Sequence, residues 1–301
     1  MKTYDVLIIG AGPAGLTAGL YSARNGMKVG IISKDIGGTT NSISELSNWP
    51  GFEGSGKEFI KKFNEQLKKY NIDFIGDETI LIVKNKTEFT IKTKKQEMTC
   101  KSIIIATGME RKKLKIPGEE KFLGKGVSYC ATCDAFFFKD KEVAIIVEDN
   151  CDLDSIITLS DIAKRVYSIC TGKKLECKGN IKKKLEEREN IEFFYNSKPL
   201  EIHGNEKVEG LKIETEGNNK DLKLDGIFIE IGSTPIVEMT KNINLKVNDE
   251  KFIEVDSNMK TSVEGIYAAG DVTNQKLKQV VVASAQGAIA AKSAYRWINN
   301  K

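Results

Sequence analysis

The segment "CATCD", Cys130 to Asp134, sets two cysteines three residues apart with an acid directly after the second. A thiolate at one position can attack a disulfide sulfur, and the other thiol can then resolve the mixed disulfide and close the pair. Asp134 stands where it can pass a proton to a leaving thiolate. The chain's one histidine, His203, is far off in sequence, which makes Asp134 the better candidate acid. Two other uses of such a pair are open. A structural zinc site needs four ligands, and neither a second Cys-x-x-Cys nor a histidine pair is present. Two plain buried cysteines would not call for the adjacent acid.

A second set of residues would bind rather than react. "GAGPAG" places Gly10, Gly12 and Gly15 at GxGxxG positions, with Pro13 and Ala14 between them. The three glycines suit a tight turn, close backbone approach to a pyrophosphate, and close helix–strand packing. The N–H groups that open the following helix would face the phosphates. An acid for the ribose belongs about 20 residues on; Ser33 and Lys34 stand there, and Asp35 comes late. That weakens a simple NAD reading and leaves FAD.

The elements that must position these residues follow from their patterns. "YDVLII" reads as a strand, "LTAGLYSARNG" as a helix and Lys28–Ile32 as a second strand. Further on, Glu88–Thr93 and Ser102–Ala106 read as strands. "KDKEVAIIV" begins a second β-α-β pattern: strand Val143–Val147, helix Asp154–Ala163, strand Val166–Ile169. The chain is therefore expected to be α/β with two Rossmann-like domains of the dinucleotide-binding type. "GIYAAGDV" predicts a strand entering a Gly-Asp turn, and the helix after it is rich in small residues, which suit close approach to a ligand or a sheet. Phe136–Phe138 are expected in the core of the second domain, and His203 at the surface. Cys100 reads as packing. Cys151, Cys170 and Cys177 gather around the second β-α turn but lack an obvious fourth metal ligand, so no metal is assigned.

Bulk properties exclude several classes. At 301 residues, 40% hydrophobic and 29% charged, the chain suits one large or two modest globular domains. No apolar run approaches the roughly 18–20 residues that span a bilayer, and the N-terminus does not read as a signal peptide. No membrane role is expected, and the default location is cytoplasmic. A net charge of +4 is too mild for a nucleic-acid binder. Lys164–Arg188 holds nine basic residues against three glutamates, which fits a solvated face or an acidic protein partner.

The ordered set "GAGPAG", "SNWPGF", "IIATGMERK", "CATCDAFFFKDKEVAII" and "GIYAAGDV" resembles the low-molecular-weight, bacterial-type thioredoxin reductases over nearly the whole chain. The resemblance implies a homodimer with one FAD per subunit. It places a split FAD domain at residues 1–113 and 238–301, with an inserted redox-disulfide domain at 114–237. Matched residue by residue, Gly10, Gly12, Pro13, Ala14 and Gly15 form the FAD phosphate loop. Asn48, Thr107 and Gly108 become flavin-domain contacts, Gly270 and Asp271 the turn at the ribityl and phosphate region, and Gln279 a neighbour of the flavin ring. Lys278 stands where the family has arginine, and Thr39 where it usually has glutamine. By the same match Cys133 lies nearer the flavin and Cys130 attacks thioredoxin.

The second glycine turn departs from that pattern. Its three small positions fall on Val147, Asp149 and Asp152, where carboxylates repel a pyrophosphate and any Cβ blocks close approach. The His-Arg-Arg places for a 2′-phosphate hold Cys170, Thr171 and Gly172, and a later arginine becomes Glu176. Loss of both halves resembles the ferredoxin-dependent flavin thioredoxin reductases, which lack pyridine-nucleotide motifs. That resemblance implies electrons from ferredoxin through FAD to Cys130–Cys133 and on to thioredoxin. Three alternatives stay open: an NAD(P)H enzyme using Lys173 and Lys174, a flavin-dependent dithiol oxidase, and a non-catalytic flavin sensor.

Overall fold

The computed structural model describes residues 1–43, 45–148, 153–173, 185, 187–188 and 189–300. Asp149, Cys151, Asp152, Lys174, Glu176 and Cys177 lie outside the described residues, as does all of 174–184 within the basic run.

Two compact units are present, one made of Met1–Glu110 with Thr234–Lys301, the other of Arg111–Ser233. The first begins with β1 (Lys2–Ile9), α1 (Pro13–Arg24), β2 (Val29–Ser33), α2 (Gly56–Leu67) and β3 (Ile72–Gly76). It continues with β4 (Thr79–Lys84), β5 (Phe89–Thr93), β6 (Glu97–Ile105) and β7 (Met109–Arg111). The second unit holds β8 (Val127–Ser128), α3 (Ala131–Asp134), β9 (Glu142–Val147), α4 (Leu153–Ile162), β10 (Arg165–Cys170) and β11 (Ile191–Phe194). After these come β12 (Lys198–His203), β13 (Gly210–Thr215), β14 (Asn218–Lys223) and β15 (Gly226–Glu230). β16 (Ser233–Pro235) pairs with β7, and the first unit then resumes with β17 (Ile266–Ala268) and α5 (Val280–Asn299).

In the first unit β3, β2, β1 and β6 run parallel, in that order. β6 is long enough to serve two partners. Its first half pairs antiparallel with the β4–β5 hairpin, Phe89 opposite Cys100, and its second half parallel with β17, Ile105 opposite Ala268. Alternation sorts β1 between two layers: Val6 and Ile8 face the core with Leu16 and Ala290, while Leu7 and Ile9 face the one with Ile91 and Val272. The small residues of α5 pack on α1, because a Cβ on Gly287 would sit 2.1 Å from the Ala14 carbonyl oxygen. The same helix also packs on the sheet, as the sequence suggests, with Ala290 and Ala294 in one core with Ile8, Ile104 and Tyr267.

In the second unit β11-β10-β9-β15-β8 form a parallel sheet, and β12-β13-β14 an antiparallel one. Along β9, Val143, Ile145 and Val147 join the core with Ile156 and Leu159 of α4. Ala144 and Ile146 join the other core, with Ile202, Leu211 and Ile213 of the antiparallel sheet. The apolar run "VAIIV" is thus buried on both faces, as a central parallel strand is.

One expectation changes. Phe138 packs edge-on against Phe228 with centroids 5.2 Å apart, but Phe136 is 72% exposed, because the 3-10 turn that carries the three rings points them in different directions. His203 lies on β12 and faces Asp221 at 2.7 Å. Cys100 is buried in β6, and burial pushes its thiol far up from the usual range.

Candidate functional site

The turn between β1 and α1 shows why each glycine is there. Gly10 has φ +107°, and a Cβ on it would lie 2.2 Å from the Ala106 carbonyl oxygen, so backbone geometry excludes any other residue. Gly15 is packed as tightly, its Cβ position 1.9 Å from the Gly10 carbonyl oxygen. Gly12 differs. Its φ is −76°, an ordinary value, and a Cβ there would meet nothing within 4 Å. Neither conformation nor packing within the chain asks for glycine at this point. Gly12 is also the N-cap of α1, with no side-chain cap on the helix donors and Pro13 in the first turn. Open space over a bare helix N-terminus fits a dinucleotide pyrophosphate.

Residues far apart in sequence meet elsewhere in this unit. Asn48 donates to Gln279 Oε1 at 2.8 Å across 231 positions. Thr107 Oγ1 donates to the Ile236 carbonyl at 2.7 Å, beside Gly108. Gly270 N donates to Gln286 Oε1 at 2.7 Å, so a buried glutamine on α5 holds the Gly270–Asp271 turn. Sequence reasoning missed Gln286, whose only signal is a long polar side chain on a helix face of otherwise small residues. Lys278 turns back onto the same loop, donating to the carbonyls of Asp271 at 3.0 Å and Thr273 at 2.6 Å. Its burial lowers the ammonium to about 8. At the ribose-acid position Ser33 ends β2, and Lys34 pairs with Glu78 at 2.6 Å. Thr39 is exposed in the 3-10 turn Gly38–Ser42.

In the second unit Cys130 and Cys133 form a disulfide with Cα atoms 5.3 Å apart. Cys130 is the N-cap of α3, and its carbonyl accepts from the N–H of Cys133 and of Asp134, each at 3.2 Å. Ser128 links the pair to its acid: the Cys130 N–H donates to Ser128 Oγ at 3.0 Å, and that hydroxyl donates to Asp134 Oδ2 at 2.6 Å. Asp134 Oδ1 is buried with no hydrogen-bond partner among the described residues. Desolvation raises the Asp134 carboxyl above its ordinary value, against the opposing Ser128 bond and the Arg111 charge. A carboxyl so placed favours its protonated form, as a proton donor to sulfur would. Tyr129, next to Cys130, is anchored through its hydroxyl to Glu119 at 2.7 Å. Glu119 is 2% exposed and also accepts the N–H groups of Leu114 and Lys115, so that buried carboxylate is well satisfied.

The carboxyl ends of the second sheet are where a doubly wound sheet would take a nucleotide. β9 ends in buried Val147, followed by Glu148, which pairs with Lys112 at 3.1 Å. Level with Val147 on the neighbouring strands are Glu230 and Cys170. Glu230 accepts the Ala131 N–H at 2.9 Å. Two carboxylates thus stand along an edge that would otherwise receive phosphates. Among the described residues no group of His, Cys, Asp and Glu could hold a metal ion. No described helix is long and apolar enough to cross a membrane.

A family model described as pyridine nucleotide-disulphide oxidoreductase matches residues 4–287. This chain belongs to that family. It is a flavoprotein disulfide oxidoreductase of the thioredoxin reductase type, and its cofactor is FAD. The Bacillus subtilis (strain 168) thioredoxin reductase is 35% identical over 302 residues, which cover 99% of this chain and 95% of that one. The crystal structure of thioredoxin reductase from Streptococcus pyogenes MGAS5005 is 34% identical, with a TM-score of 0.94 and 99% of both chains covered. A ferredoxin-flavin thioredoxin reductase from Clostridium acetobutylicum is 32% identical, with a TM-score of 0.55 and 100% of both chains covered. The family's flavin nucleotide fits the open space over Gly12.

Proposed function

We propose that this flavoprotein reduces thioredoxin with electrons taken from reduced ferredoxin, without NADPH. Glu230 carries this reading, because it sets a carboxylate at the strand ends where the phosphates of NADPH would lie, beside the ion pair of Glu148 with Lys112. The Clostridium acetobutylicum relative supports it. FAD, when bound, accepts electrons one at a time and yields them as a pair. Gly12 and the start of α1 would hold its pyrophosphate, with Asn48, Gln279, Thr107, Gly108, Gly270 and Asp271 around the rest. Two electrons and two protons convert the Cys130–Cys133 disulfide to two thiols. Cys130 loses its proton and attacks, as thiolate, one sulfur of the thioredoxin disulfide, and the other sulfur leaves with a proton from Asp134, which the Cys130 proton replaces. Cys133 then attacks Cys130 as thiolate, its own proton passing to the departing thioredoxin sulfur, which restores the disulfide and releases reduced thioredoxin. The homodimer and the cytoplasmic location belong to the same proposal.

The test is an anaerobic visible spectrum with NADPH, NADH and reduced ferredoxin added in turn. Ferredoxin should bleach the flavin, and millimolar nicotinamide nucleotide should not. Rapid bleaching by NADPH would overturn the choice of donor. Cys130→Ser should stop thioredoxin reduction while flavin reduction persists.

A further inference from the structure

Glu230 does more than close a nucleotide site. Its carboxylate reaches across from the end of β15 to accept the Ala131 N–H at 2.9 Å, a contact between residues 99 apart in sequence. That amide belongs to the peptide joining Cys130 to Ala131. By covalent geometry alone, the carboxylate oxygen then lies within about 8 Å of the Cys130 sulfur. Among the described residues, charged groups on and around this segment include Asp134 on the segment itself, Asp154 in the first turn of α4, Asp161 further along α4 with its partner Arg188, and Glu148 with its partner Lys112 beyond β9. Arg111 adds a cation, whose guanidinium donates to the Tyr129 carbonyl and draws on Asp134. Burial favours the neutral form of Asp134, and Glu148 is held by its lysine. Glu230 is the carboxylate bonded directly to the Cys130–Ala131 peptide.

Two consequences follow from that bond. It takes up an amide that would otherwise be free to face a thiolate on Cys130, and it adds a like charge beside that thiolate. A dithiol whose thiolate is disfavoured gains less from being reduced, and so gives up its electrons more readily. We propose that Glu230 is a positioning residue for the redox pair, holding the Cys130–Ala131 peptide and disfavouring the Cys130 thiolate so that the reduced pair is a stronger electron donor. This rests on the disulfide relay proposed above. It assigns the carboxyl edge of the second sheet a part in tuning the disulfide.

The experiment uses flavin-loaded protein reduced with dithiothreitol, freed of reductant under anaerobic conditions and labelled with iodoacetamide across pH 5–10. The Cys130 peptide is followed by mass, so that other cysteines do not enter the reading. With Glu230→Gln, the pH midpoint of Cys130 labelling should fall by about one unit. Glu230→Asp keeps the charge and should stay near wild type. Above the midpoint, equilibration with dithiothreitol buffers should show the Gln variant about tenfold easier to keep reduced, roughly 30 mV. Well below it, the two proteins should agree. An unchanged or raised midpoint in a folded Gln variant would overturn the proposal. Glu230→Ala serves as a second neutral variant if the Gln protein does not fold. Failure of the relay itself has a separate signature: Cys130→Ser would still reduce thioredoxin, whatever the labelling midpoints show.

Discussion

Replacing Gly12 by alanine separates the two jobs a glycine turn can have. In the protein alone the added methyl meets nothing within 4 Å, and the backbone at φ −76° accepts it. Alanine is a poorer N-cap than glycine by up to about 1 kcal/mol, and the stiffer unfolded chain offsets about 0.4–1 kcal/mol of that. The apoprotein should therefore melt within a few degrees of wild type. FAD binding should suffer much more, because the methyl fills the space through which the pyrophosphate reaches the helix donors. Losing one charge-assisted hydrogen bond, together with part of the helix-end attraction, comes to about 3 kcal/mol, or roughly 100-fold in Kd. Calorimetric titration of apoprotein with FAD gives the affinity, and thermal unfolding of the same apoprotein gives the stability. Gly10→Ala is the contrasting control. With φ +107° and a carbonyl oxygen 2.2 Å from the new Cβ, it should destabilise the apoprotein by about 3 kcal/mol or more. Wild-type FAD affinity in Gly12→Ala would refute the placement of the pyrophosphate. A loss of apoprotein stability as large as that of Gly10→Ala would show that Gly12 is structural.

Three further outcomes can be checked. Asp134→Asn removes the proton donor and should slow thioredoxin reduction by about 100-fold. Because burial raises the native carboxyl above its unfolded value, the native state binds more protons between the two, and stability falls as pH rises from the unfolded value through the native titration. The Asn variant should then unfold at higher temperature than wild type at pH 8, with the gap closing toward acid pH. For Lys278 the sign is reversed by charge type: its ammonium titrates at about 8 in the native protein, below its unfolded value, so the unfolded state binds more protons between them. Relative to Lys278→Met, wild-type stability should fall as pH drops from about 10.5 to about 8 and stay level below; a flat difference across that range would show that the lysine is not desolvated.

Much of this molecule is legible locally. The apolar run before "GAGPAG" predicts β1, "LTAGLYSARNG" after it predicts α1, and "VAIIV" predicts the strand β9, because runs and periods of apolar residues are written into the chain itself. The cysteine spacing and the adjacent acid likewise identify the disulfide segment without a fold. What pattern cannot show is which distant residues meet. Asn48 reaches Gln279, Gln286 holds Gly270, and Ser128 bridges Cys130 to Asp134 through hydrogen bonds that no periodicity encodes. Phe136 points to solvent while Phe138 is packed, because a 3-10 turn sets their directions. Glu230 is the sharpest case. In the sequence it is one polar residue ending an apolar strand, with nothing to tie it to "CATCD". The parallel sheet, by placing the end of β15 beside the redox pair, turns that strand-end carboxylate into a contact with Cys130's own peptide. Sequence decided the elements and the reactive groups. Tertiary structure alone decided their neighbours, because burial and charge depend on distances that only the folded chain creates.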